Sequence, residues 1–389
     1  MMFDAVNTNF KEAILLQKFE VSGFRGFENN FVLDLTQKRN YEFNDEAINN
    51  GVVKTSVIYG KNGSGKSNLT HAIFDLISQL SEESKLPSFF ARNYLNARNS
   101  KGFASFKYHF KFGKDYVTYF YDKKTARSIL REGLDINGEN YVYLDRDKNK
   151  IADIKIPGTE SLNKDFSGVD DNVSVISYIN NNSIFPEGNV TNLFKKFISY
   201  VKGMLFFRSL LEGNSFIGVE ASGKSICQDI VEHDNIQEFE NFLNSNGIKC
   251  KLKEIETTSG KSIGFDFGDS VIPFTEVAST GTKSLGLFFF WMQRMDQVSL
   301  ICIDEFDAFY HHELSQSLVT ILRDLNAQVI LTTHNTSVMS NDILRPDCYF
   351  IMDEQAVSSL NNLTDKEIRV AHNLEKIYKA GGFNKKSGG

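Results

Sequence analysis

Apolar and polar positions along the chain change period several times, and each change marks an element. From Ala13 to Leu35 they alternate (Leu15, Leu16, Phe19, Val21, then Phe31, Leu33, Leu35), which predicts two strands joined across 23–30. A short apolar run, Val57-Ile58-Tyr59, predicts a buried strand, and Leu69, Ala72, Ile73, Leu76, Ile77 and Leu80 then follow helical spacing. Ser81 to Ser100 is polar and reads as loop and short helix. Period two returns from Phe103 to Asp147, with turn signals at Gly113-Lys114-Asp115 and Asn137-Gly138, so an antiparallel meander is expected.

The segment from Lys150 to Lys261 carries helix-period apolar positions over Leu193–Leu211 and Ile226–Leu243, with strands resuming at Ile248–Ile255 and Ser262–Phe267. An apolar helix to Met295, a strand at Ser299–Glu305, a helix at Leu314–Leu325 and a strand at Gln328–Asn335 complete the pattern. The first residues, 1–18, suggest a short amphipathic start, and 385–389 a frayed tail. The expected class is α/β: a core sheet plus an antiparallel meander, with a mostly helical insertion. The expected division is 1–150, 151–260 and 261–389.

At 389 residues the chain can bury one large core or two moderate ones. Its 34 Phe against one Trp and five Pro read as core material and compositional drift rather than a base-stacking surface. A net charge of −6 argues against a surface coated for nucleic acid, although a local basic groove is compatible with it. The candidate clusters are Lys249/Lys251/Lys253 and Lys195-Lys196, which read best as solvated faces. Cys227, Cys250, Cys302 and Cys348 have no metal-ligand spacing, no signal peptide is recognisable, and Leu285–Met292 is too short to span a bilayer. A cytoplasmic protein is expected.

The chemistry starts at Gly60-Lys61-Asn62-Gly63-Ser64-Gly65-Lys66-Ser67, which fits GxxxxGK[ST] between a strand and a helix. Glycines at 60, 63 and 65 let backbone N–H groups face phosphate oxygens where a Cβ would block the approach. The positive end of the helix adds to the attraction. Gly60 through Asn68 are therefore the expected nucleotide contacts, with Lys66 on the β- and γ-phosphates and Ser67 on Mg²⁺. Gly218 to Ser225 fits the same pattern, but Glu220 would set a carboxylate among phosphates and the middle glycine is missing, so it is rejected as a nucleotide site.

Leu300-Ile301-Cys302-Ile303-Asp304-Glu305 is an apolar run that ends in two acids, as a buried parallel strand would at a ligand-binding edge. Asp304 is expected to hold the metal and Glu305 to polarise water. The next strand ends in Thr332-Thr333-His334-Asn335, on the same edge, so His334 is expected to meet a phosphate. The loop Ala278-Ser279-Thr280-Gly281-Thr282 opens a helix and reads equally as an anion site or as an ordinary N-cap. Arg25, in Phe24-Arg25-Gly26-Phe27, is either a surface arginine or one that reaches the nucleotide.

This ordered set (GKNGSGKS, VASTGT, LICIDEFDAFYHHEL, QVILTTHN) resembles the ABC-type ATPase heads of the SMC and RecF group. It is most similar to the bacterial AAA15/AAA21 proteins related to OLD nucleases, whose closing segment Arg369…Asn373-Leu374…Tyr378-Lys379-Ala380-Gly381-Gly382-Phe383 also resembles. The motifs cover both ends of the chain, while 81–260 matches in general layout only. The resemblance implies two heads that sandwich two ATP molecules, each between Lys66 of one copy and Ser279, Gly281 and Thr282 of the other. It also implies that Asp307–His311 crosses the seam, that His334 senses the γ-phosphate, and that Arg25 lies near the nucleotide. With the stretch that follows His334, no appended nuclease domain is expected, nor a long coiled coil between Lys66 and Ser279. Such heads resemble the ATPase member of two-gene phage-defence systems, so a separately encoded nuclease or toxin is the expected partner. A RecF-like DNA-binding repair head is the alternative.

Overall fold

Strands buried on both faces leave unbroken apolar runs in the sequence. In the computed structural model every residue of Thr55–Tyr59, Leu300–Asp304 and Gln328–Thr333 is buried. These three strands and Met204–Arg208 and Tyr349–Met352 run parallel, in the order Met204–Arg208, Leu300–Asp304, Gln328–Thr333, Thr55–Tyr59, Tyr349–Met352. Antiparallel edge strands, Ser215–Gly218 and Val357–Ser359, close the two sides. The structure describes residues 14–37, 39–80, 91–208, 215–218, 225–258, 260–308 and 310–383. The expected amphipathic start, much of the polar stretch after Leu80, the interior of the second GxxxxGKS pattern and the tail lie outside these residues.

A second seven-stranded sheet is wholly antiparallel. It runs Asp153–Ile154, Glu139–Asp145, Ile129–Ile136, Asp115–Lys123, Ala104–Phe112, Ile14–Ser22, Phe31–Asp34. The alternation in its sequence is the alternation of faces, and the inner face is aromatic: Phe19, Phe106, Tyr108, Tyr119 and Tyr121 are all at most 1% exposed. The helix Lys66–Leu80 lies against this face on one side and the parallel sheet on the other, so 12 of its 15 residues are buried. Tyr108 donates to the carbonyl of Ala72 at 2.8 Å, and Asp75 receives Tyr94 at 3.1 Å, Tyr121 at 2.9 Å and Lys123 at 2.7 Å. The overused phenylalanines are therefore largely core.

Gln328 joins the two sheets. Its Oε1 accepts from the backbone N of Leu16 at 2.8 Å, and its Nε2 donates to the carbonyls of Leu16 at 2.9 Å and Val53 at 3.1 Å. The bulge between Leu16 and Lys18 leaves that stretch of backbone for the amide to satisfy.

Between the two lobes of sequence the pattern needed correction. The helical spacing read over Leu193–Leu211 covers two elements: a helix, Asn189–Lys202, ends at Gly203, and Met204–Arg208 is a strand beside Leu300–Asp304. Gly203 is required at this junction because a Cβ there would lie 2.8 Å from the carbonyl of Gln297. A short buried apolar run carries no period of its own, so the neighbouring strand decides its conformation. Likewise Ile226–Leu243 breaks at Asp234, whose φ is 56°, into helices Ile226–Glu232 and Ile236–Ser245. These helices pack with the hairpin Leu252–Thr257/Gly260–Asp266 on the helix Thr280–Met292, through Phe239, Phe242, Phe274, Phe288 and Phe289. Arg294 pairs with buried Asp229 at 2.6 Å and fastens the group. No helix among the described residues is long and apolar enough to cross a membrane.

Replacing Gln328 with Leu keeps the volume but orphans the Leu16 N–H and carbonyl. The expected loss is about 3 kcal/mol or more, at 1–3 kcal/mol for each buried polar group left unpaired. Urea unfolding of the two proteins measures it, and a difference below about 1 kcal/mol would mean that the amide is not what ties the sheets together.

Candidate functional site

The loop after Thr55–Tyr59 is shaped by close packing. A Cβ at Gly60 would collide with Ser64 Oγ and lie 2.8 Å from the Met352 carbonyl, and Gly63 and Gly65 hold φ values of 83° and 97°. The helix opens at Lys66, so its first amides face the loop's concavity. Lys66 is 5% exposed and its Nζ donates to the carbonyls of Gly60 at 2.8 Å and Lys61 at 3.2 Å. Burial lowers its pKa, and Glu305, Asp304 and Asp307 oppose that shift.

The acidic edge is held by the threonines of the neighbouring strand. Thr332 Oγ1 donates to Asp304 Oδ1 at 2.6 Å and accepts from the backbone N of Glu305 at 2.9 Å. Thr333 Oγ1 donates to Asp307 Oδ1 at 2.7 Å and accepts from the Asn335 N–H at 2.9 Å. Glu305 has a φ of 51°, a left-handed conformation that turns the chain sharply off the strand end. Asp307 is buried, and burial raises its pKa against the hydrogen bonds from Thr333 and Asn335 and the charge of His334.

A cleft of about 380 Å³ is lined by Asn62, Gly63, Gly65, Lys66, Ser67, Asn68, Glu305 and His334. Gly60, Lys61 and Ser64 build the loop behind it, and Asp304 lies at the end of the adjoining strand, within electrostatic reach of Lys66. Ser67 and Asp304 supply hard oxygen donors of the kind Mg²⁺ takes alongside phosphate and water. Among the described residues there is no group of three or more His, Cys, Asp or Glu that could hold a metal ion by itself.

A larger hollow, about 720 Å³, shares Asn68 and is lined by Arg25, Gly26, Arg92, Asn93, Leu95 and Ala97. Arg25 is held there with a φ of 45°, its N–H on the Tyr94 carbonyl at 3.1 Å, its own carbonyl on Asn96 and its guanidinium on His71. Arg92 and Asn93 escaped the sequence reading because they sit in a polar stretch with no periodicity; two polar side chains near a turn give no distinguishing signal. Ser279, Gly281 and Thr282 do not line the cleft. They open the helix Thr280–Met292, where Ser279 accepts from the Thr282 N–H at 3.1 Å, and Ser279 and Thr280 are exposed. Both readings of that loop therefore persist: it is an N-cap, and its outer side is accessible. At the second GxxxxGKS pattern, Ser225 forms a capping box with Gln228 at the start of Ile226–Glu232.

A family model described as "AAA domain, putative AbiEii toxin, Type IV TA system" matches residues 56–340. Among solved structures, the chain is similar to an SMC head bound to the C-winged helix domain of ScpA, at 16% identity over 88% of this chain and 96% of that one, with a TM-score of 0.44. It is similar to the SMC head domain from Thermotoga maritima at 14% identity, over 88% and 98%, with a TM-score of 0.40. It is similar to the recombination mediator RecF with ATP at 12% identity, over 90% and 99%, with a TM-score of 0.41. No curated protein matches the chain.

The raised pKa of Asp307 sets a test. Its folded carboxyl binds a proton more readily than the unfolded one, so its charge weakens the fold at neutral pH. That penalty fades as pH falls through the raised pKa toward the ordinary Asp value near about 4. Asp307→Asn is expected to be more stable than the parent at pH 7.5, with the gap narrowing steadily as the pH is lowered toward about 4 in paired urea titrations. A gap that widens on acidification would show the carboxylate to be stabilised by its neighbours.

Proposed function

The chain belongs to this family of AAA domains and is an ABC-type ATPase head, and from that premise we propose that it hydrolyses ATP between two copies of itself. The observation that carries the reading is the convergence of Lys66, Ser67, Glu305 and His334 on one cleft. Loop amides from Gly60 to Ser67 cradle the phosphates, and Lys66 exchanges its carbonyl partners for β- and γ-phosphate oxygens. Ser67 and Asp304 hold Mg²⁺, which supplies charge neutralisation across the phosphates when bound. Glu305 orients and polarises the attacking water, and His334 contacts the γ-phosphate. The adenosine extends toward Asn68 and the hollow beneath Arg25. Ser279, Gly281 and Thr282 of the second copy close the other side; the exposure of Ser279 and Thr280 at this helix start, away from the chain's own cleft, supports it.

The two states differ in γ-phosphate contacts, and only such a difference can move a partner. We assign the work to control of a separately encoded nuclease or toxin in an anti-phage defence complex, a role that the family's association with toxin–antitoxin systems supports. The net charge of −6 favours a protein partner over duplex DNA.

Glu305→Gln is expected to lower kcat at least about 100-fold, the usual contribution of a general base, and to accumulate an ATP-dependent dimer in size-exclusion runs with light scattering. Lys66→Ala should bind no ATP and stay monomeric, and Ser279→Arg should bind ATP but not dimerise. A Glu305→Gln protein that stays monomeric at saturating ATP would overturn the sandwich. Tight duplex DNA binding that falls steeply with salt would replace the defence role with a repair role.

A further inference from the structure

Beyond Thr333 the backbone passes through His334 into one 3-10 turn, Thr336–Val338. Among the described residues the His334 side chain makes no hydrogen bond, and it is exposed. Its direction therefore depends on how the backbone is gripped on each side. On the near side Thr333 is locked to Asp307 at 2.7 Å. On the far side Thr336 Oγ1 donates to Glu375 Oε1 at 2.7 Å, across 39 residues of sequence.

Glu375 stands on the helix Leu374–Lys379, in the closing segment that the ATPase reading does not use. That segment is well anchored. Leu374 is fully buried, Phe383 is 5% exposed, and Asn373 caps the helix by accepting from the Lys376 N–H at 2.8 Å. Asn341, on the chain just after the His334 turn, donates to the carbonyls of Arg369 and His372 at 3.0 Å each. Lys379 bonds the same Glu375 oxygen at 2.7 Å. The carboxyl is held below the usual range by Lys379, then Thr336, with His312 adding in the same direction, so it is ionised at neutral pH.

We propose that Glu375 is a positioning residue for His334, and that the helix Leu374–Lys379 clamps the turn so that the imidazole stays on the cleft. The proposal rests on the ATPase reading for its consequence, but the clamp itself does not. The carboxylate accepts from Thr336 with charge assistance, which makes it stronger than a neutral pair. Losing it frees the first residue of the turn while leaving the P-loop, Asp304 and Glu305 untouched.

The experiment compares Glu375→Ala, Glu375→Gln, Thr336→Val and the Glu375→Ala/Thr336→Val double variant with the full-length parent. Hydrogen exchange of the free protein reads the clamp, and steady-state ATPase assays read its effect. Glu375→Ala and Thr336→Val should each raise exchange at 335–338 by about tenfold and lower kcat by about tenfold, with KM for ATP within about twofold. Glu375→Gln keeps an acceptor and should restore most of kcat. The double variant should be no worse than either single one, since both remove the same bond.

Unchanged exchange at 335–338 overturns the clamp. Faster exchange with unchanged kcat, or an equal rise in exchange across the whole chain, overturns the positioning role. If the parent itself neither binds nor hydrolyses ATP, the ATPase reading falls, and the clamp is decided by the exchange data alone.

Discussion

The arrangement depends on the parallel register of three adjacent strands. Tyr59 pairs with Thr333, and Ile303 with Leu331, so the strands Thr55–Tyr59, Gln328–Thr333 and Leu300–Asp304 end on one edge. Neighbouring strands are about 4.8 Å apart. An acidic pair and a threonine–histidine pair, and a glycine loop that precedes both by more than two hundred residues, are thereby delivered within a few strand widths. Parallel pairing makes this possible because each strand arrives in the same direction, with its crossover behind the sheet. A one-residue slip would turn Thr332 away from Asp304 and present Leu331 in its place.

The helix Lys66–Leu80 needs a second constraint, since a helix gripped only by its loop could rotate. Asp75 supplies it. Its carboxylate is fully buried, and its partners Tyr94, Tyr121 and Lys123 all come from other elements. Burying an ion pair costs several kcal/mol of desolvation per ion, and the return depends on geometry. Here the two charges are 2.7 Å apart and both are about 1% exposed. What such a pair secures is direction: the charged and phenolic groups meet only if the helix presents Asp75 to the antiparallel sheet. The opposite face, with Phe74 against Phe206, then lies on the parallel sheet.

How much of this was legible depended on whether a feature is local. The glycine loop, the acidic strand end and the helix after the loop are written in consecutive residues, and their periods are unambiguous. The boundary at Gly203 was not, because Met204–Phe207 fit a helix or a buried strand equally and the deciding neighbour, Leu300–Asp304, lies about a hundred residues on. Gln328 reads as a polar start to an apolar strand; its work on Leu16 spans 312 residues and leaves no local trace. Glu375 sits half-buried four residues before Lys379 on a helix, where an i,i+4 pair is the ordinary explanation. The contact with Thr336 gives it meaning, and only coordinates supply that contact.

Three carboxylates lie within four residues at the acidic edge, and their environments divide them. Asp304 is 7% exposed and bonded by Thr332, which fixes one oxygen and orients the other. Asp307 is equally buried, but Thr333 and Asn335 hold it and it does not line the cleft. Glu305 alone lines the cleft, on a backbone forced left-handed, while Thr332 grips its amide. Thr332 thus touches both members of the acidic pair, one through its hydroxyl proton and one through its lone pair. A water-activating group must meet solvent and change partners, whereas a metal-holding group must be directed before the ion arrives. Since the side chains are so similar in chemistry, burial and the strained turn between residues 304 and 305 are what support the proposed division, in which Asp304 holds and Glu305 acts.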